Sequence, residues 1–118
     1  MKATDRLASA RAAWWAAKSI RRAGSVALDS PVPAQLPPVP AVPRAAERGV
    51  EISLRLARAT CLTRAIVLQA WRLAHGEERD LVIAVTRPGA NFGAHAWLDG
   101  DSPCHSSRFH ELTRRPAR

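Results

Sequence analysis

The sequence predicts an α+β domain in which helices pack on a small antiparallel sheet, and three stretches carry that prediction. From Cys61 to about Ala74 the chain is apolar nearly all round at helical spacing, as a central buried helix is. Leu81–Val85 is a short unbroken apolar run, the pattern of a buried strand. Ala94–Leu98 reads as a further strand, and the Asp99-Gly100 pair behind it is a strong hairpin signal.

The elements can be justified in chain order. Residues 4–23 place Ala8, Ala12, Trp15 and Ser19 on one helical stripe with Leu7, Trp14 and Ala17 beside it, while Arg6, Arg11, Lys18, Arg21 and Arg22 supply charge. This is an amphipathic basic helix stopped by Gly24, its last cations matched to the C-terminal dipole. Such a helix either packs its tryptophans onto the domain or lies on a membrane or partner surface. Residues 31–43 hold six of the nine prolines. Proline removes a donor and keeps its predecessor extended, so this stretch is a stiff polyproline-like connector. Between Ala45 and Ala59, the positions Ala46, Val50, Ile52, Leu54, Leu56 and Ala57 suggest a helix, weakened by Gly49.

Thr60 is the expected N-cap of the helix that opens at Cys61, and His75-Gly76 its stop. Residues 87–93 form a turn between the two strands, and a short return strand is expected near Asp101–His105. Phe109 and Leu112 then anchor a frayed basic end. The chain divides into a basic helix over 1–30, a proline-rich linker over 31–44 and a core over 45–118.

At 118 residues, 47% of them hydrophobic and 24% charged, the chain fits one modest core and is no disordered polymer. Its net charge of +8 attracts acidic partners, or reflects a genome rich in arginine and alanine codons. The cations are dispersed and no nucleic-acid motif is present, so no nucleic acid is expected as partner. Two cysteines, Cys61 and Cys104, are too few for a disulfide scaffold. No apolar run approaches the ~18 residues of a spanning helix and no signal segment is evident, so the expected compartment is the cytoplasm. Cys104, His105 and His110 have ligand chemistry without the repeated spacing of zinc sites, so no metal is expected. The absence of a phosphate loop leaves no nucleotide cofactor either.

Cys61 and His95 are the candidate catalytic pair. A cysteine attacks as the thiolate, which the unpaired N–H groups of a helix N-terminus and a neighbouring imidazolium both stabilise. Cys61 opens a helix, and its own backbone N–H is available to a developing oxyanion. His95 falls on a strand expected beside that helix. Alternation puts it on one face with Trp97, whose indole would shield the imidazole, and puts Ala94, Ala96 and Leu98 on the other.

Three segments stand in a telling order: Cys61-Leu62-Thr63-Arg64-Ala65, then Val82-Ile83-Ala84-Val85, then Ala94-His95-Ala96-Trp97-Leu98-Asp99. Together they resemble the B2 family of lasso-peptide biosynthesis, stand-alone leader peptidases with a transglutaminase-like core in the papain-like cysteine protease superfamily. The resemblance covers residues 45–115. It implies a cysteine peptidase that removes the leader peptide from a ribosomally synthesised lasso-peptide precursor, with Cys61 as nucleophile and His95 as base. It also implies three partners: a leader-binding protein (a RiPP recognition element), the lasso precursor itself, and an ATP-dependent macrolactam cyclase that closes the ring on the freed amine. No cofactor is implied.

That family carries an aspartate further along, across the hairpin from its histidine. Pairing around Asp99-Gly100 would set Cys104, or His105 with a larger loop, opposite His95, and neither is a carboxylate. Asp99 lies ~13 Å from His95 along an extended strand at ~3.3 Å per residue, and Asp101 sits at the same turn. The third group stays open. His105 or a backbone carbonyl orients His95, a carboxylate arrives from elsewhere, or activity is impaired and the chain serves as a scaffold that binds the leader and its partner.

Overall fold

The computed structural model describes residues 3–23, 36–86, 94–101 and 109–117. Helices α1 (Ala3–Ala23), α2 (Glu47–Leu56) and α3 (Cys61–Ala74) pack on a sheet of β1 (Leu81–Thr86), β2 (Ala94–Leu98) and β3 (Phe109–Arg115), with a 3-10 turn over Arg44–Ala46 leading into α2. This is the α+β architecture that the sequence predicts.

Local chemistry fixes both ends of α3. Thr60 is extended, and its hydroxyl accepts the N–H of Thr63 at 3.2 Å, so one orphan donor of the first turn is satisfied. At the other end Gly76 takes a positive φ of 83°. Gly76 N–H then donates to Leu73 O at 3.0 Å and Glu77 N–H to Arg72 O at 2.8 Å, the paired bonds of a Schellman stop. Between the caps Ala65, Val67, Leu68 and Trp71 are buried.

The hydrophobic core is shared by all three helices and the sheet. From α1 it takes Ala12, Trp15, Ala16 and Ala23; from α2, Val50 and Leu54; from the sheet, Leu81, Ile83 and Leu98. Trp15 stacks at a tilt on Trp71, ring centroids 5.8 Å apart. The two readings of the N-terminal helix divide between adjacent residues, since Trp15 is 2% exposed and Trp14 68%.

Gly49, which looked like a weak point in α2, is where α2 crosses α1. A Cβ there would collide with the carbonyl oxygen of Ser9. Ser53 Oγ donates to Ala13 O at 2.8 Å along the same crossing. The missing side chain permits a close helix–helix approach that outweighs its entropic cost of about 0.5–1 kcal/mol. The described part of the proline strap is laced to the helices. Trp15 Nε1 donates to Pro37 O at 2.8 Å. The His75 ring bridges Trp71 O at 2.8 Å and Val42 O at 2.9 Å.

The sheet is antiparallel in the order β2-β1-β3. Strand β1 is central, with neighbours on both edges, and its residues Leu81–Ala84 are all buried. That explains its unbroken apolar run, because no solvent face exists to demand alternation. Register pairs Leu81 with Leu98, Val82 with Trp97, Ile83 with Ala96 and Ala84 with His95. The Asp99-Gly100 signal does produce a turn, with Asp101 N–H on Leu98 O at 2.9 Å and Gly100 at φ 97°. The strand expected directly behind it, past Asp101, lies outside the described residues, as do the 87–93 turn, Cys104 and His105. The next described strand is β3, formed by the segment expected as a last anchor at Phe109 and Leu112 followed by a frayed basic end. It pairs with β1 through a bulge between Ile83 and Ala84. Its seven residues gain ladder bonds on the open edge of the most apolar strand, which a basic tail in water would not have.

Candidate active site

Cys61 is the first residue of α3 and is exposed. Two interactions fix the turn that carries it. Thr60 caps it from the end, and Arg64 reaches sideways to Glu51 of α2 in a two-pronged ion pair of 2.7 and 2.8 Å. The thiol therefore stands on a rigid, solvent-open helix start, whereas free cysteines are commonly buried as small hydrophobes.

His95 is also exposed, the second residue of β2, opposite Ala84. As alternation predicts, it shares a face with Trp97, while Leu98 enters the core and Ala96 packs against it. Helix α3 packs against β2, so the two candidate residues sit on neighbouring elements. Described contacts orient these elements. Gln69 Nε2 donates to Arg79 O at 2.9 Å and Arg115 O at 3.0 Å, and Arg72 meets Asp101 at 2.6 Å. The later turns of α3 thus lie beside the start of β1, the end of β3 and the turn after β2. From that junction Cys61 lies up the helix by about 16 Å at 1.5 Å per residue. His95 is three residues before Leu98, about 10 Å up the strand at ~3.3 Å per residue. Both residues therefore lie away from that junction, on neighbouring elements.

The carboxylates nearest in sequence to His95 serve other groups. Asp99 pairs with Arg114 at 3.3 Å and Asp101 with Arg72. Partial burial works against the charge on Arg72, but hydrogen bonds and charge from Asp101 and Glu47 outweigh it and raise the guanidinium above its ordinary value. In the strand register Ala84 has His95 on one side and Glu111 on the other, so one row across the sheet contains a histidine, an alanine and a glutamate. Neither Glu51, Arg72 nor Glu111 was marked by sequence reasoning. Each partnership joins separate elements, and no spacing rule reports it.

Among the described residues no cluster of three or more His, Cys, Asp or Glu could hold a metal ion, and no helix is long and apolar enough to cross a membrane. A central helix that begins with a capped, exposed cysteine, packed on an antiparallel sheet whose second strand bears a histidine, defines a transglutaminase-like α+β fold. Residues 6–114 match the family described as the transglutaminase-like superfamily, and the chain belongs to it. The match takes in α1 as well as the sheet, and members of this superfamily are often cysteine peptidases. No curated protein and no solved structure matches the chain.

Proposed function

We propose that this chain is a cysteine-type leader peptidase that cuts one peptide bond between the leader and core of a ribosomally made lasso-peptide precursor. The observation that carries the reading is the exposed Cys61 thiol on the capped first turn of α3, the helix that packs against the strand bearing His95. In this scheme His95 takes the thiol proton, and the thiolate adds to the scissile carbonyl carbon. The oxyanion is met by the backbone N–H of Cys61. As the C–N bond breaks, the imidazolium returns its proton to the leaving amine, which becomes the N-terminus of the core. Water, deprotonated by His95, then opens the thioester and releases the leader as a carboxylic acid. Every atom comes from the peptide, one water and the two side chains, so the step calls for no metal or cofactor. A leader-binding protein would deliver the precursor and an ATP-dependent cyclase would use the freed amine. Cleavage of a precursor in the presence of the leader-binding protein, compared between wild type and Cys61→Ala, tests the reading.

A second reading has its own support. Asp99 and Asp101 are committed to arginines, which favours a transglutaminase-like scaffold that binds the leader and its partner with little or no turnover. The two readings separate on the thiol: rapid, selective alkylation of Cys61 by iodoacetamide at neutral pH supports the peptidase, and ordinary reactivity supports the scaffold.

A further inference from the structure

On the outer side of α1 a groove of about 380 Å³ runs between the helix and the proline strap, lined by Arg11, Trp14, Trp15, Lys18, Pro38 and Pro40. It lies away from Cys61. Trp15 stacks on Trp71, and Trp71 is ten residues from Cys61, about 15 Å along α3 at 1.5 Å per residue.

Three features bear on what fills it. Trp14, 68% exposed on one wall, is the kind of side chain that dominates binding interfaces. The opposite wall is proline, which has no N–H to offer, so an occupant cannot add as a strand and must insert a side chain. The charge is one-sided. Helix α1 carries Arg6, Arg11, Lys18, Arg21 and Arg22 against Asp5 alone. Several cations elsewhere are paired, Arg44 with Glu47 and Glu77, Arg64 with Glu51 and Arg72 with Asp101. Among the described residues Arg11 and Lys18 form no ion pair, and both stand at the groove.

We propose that this groove is a docking site for an acidic linear peptide segment. One apolar side chain of the segment sits between the Trp14 indole and Pro38 and Pro40, and flanking carboxylates meet Arg11 and Lys18. Charge complementarity selects the acidic partner, and the concave shape selects a peptide over a flat bilayer.

The test is fluorescence anisotropy of a labelled Glu-rich peptide with one central leucine, titrated with the full chain at low and high salt. Its Gln-for-Glu counterpart and vesicles containing anionic lipid are run alongside. Binding to the Glu peptide is expected to weaken with salt. It should fall roughly tenfold in Trp14→Ser and by a similar factor in Arg11→Glu/Lys18→Glu. These side chains are exposed, so circular dichroism should report an unchanged fold. Equal binding of the Gln peptide, indifference to all three substitutions, or capture by vesicles without peptide binding would each overturn the proposal.

Discussion

The guanidinium of Arg72 lies 2.6 Å from the carboxylate of Asp101 and 3.3 Å from that of Glu47. One half-buried side chain thereby ties the turn behind the His95 strand to both α3 and α2. Because the folded-state pKa of Arg72 is raised above its ordinary value, its contribution is fully present below that ordinary value and lost only as pH climbs through the raised one, far into the alkaline range. Arg72 titration leaves stability unchanged across acid and neutral pH. Arg72→Met should cost about 1.5–3 kcal/mol in urea unfolding, since it removes charge-assisted bonds. Asp101→Asn, at a more exposed position, should cost under about 1 kcal/mol. It should also leave precursor cleavage at the wild-type rate; a large fall in kcat with the fold intact would return Asp101 to the catalytic machinery.

Thr60 and Cys61 are coupled through the helix start. Thr60→Ala should destabilise the chain by about 1 kcal/mol and slow iodoacetamide labelling of Cys61, because the turn that carries the thiol frays. Thr60→Ser should restore both. Unchanged labelling in Thr60→Ala would separate thiol reactivity from the cap.

Gly49→Ala tests the helix crossing. The added methyl meets the Ser9 carbonyl, which is backbone and yields little, so a loss of about 1–3 kcal/mol is expected. A neutral or stabilising result, as at an ordinary helical glycine, would contradict so close an approach.

Glu111 is the carboxylate-bearing residue in the His95–Ala84 row of the strand register. If that row supplies the orienting group, Glu111→Gln should lower kcat while KM holds. A kinetic profile identical to wild type would exclude it.

Much of this fold is legible where its causes are local. Thr60 announces the start of α3 and Gly76 its end. The apolar run of β1 declares a strand with no solvent face, and alternation assigns His95 and Trp97 to one side of β2. Where the cause is a distant partner, the sequence is silent or misleading. Gly49 reads as a helix weakener until Ser9 lies against it. Phe109–Arg115 reads as an anchor with a basic end because its strand character comes from the open edge of β1 and not from its own pattern. The Asp99-Gly100 turn signal is correct as far as Asp101. It cannot say that β3, much further on, will pair with β1 and place Glu111 in the row of His95. The ion pairs of Arg64 and Arg72 join different elements in the same way.

The central claim is that Cys61 is the nucleophile of a peptide-bond cleavage. It is tested by incubating the full chain with a leader-binding protein and a lasso precursor, wild type beside Cys61→Ala, and reading the products by mass spectrometry. Leader and core fragments are expected from wild type alone, with wild type and Cys61→Ala both folded and both retaining binding to the leader-binding protein. Cleavage that survives Cys61→Ala, or intact precursor from a folded, partner-bound wild type, would contradict it.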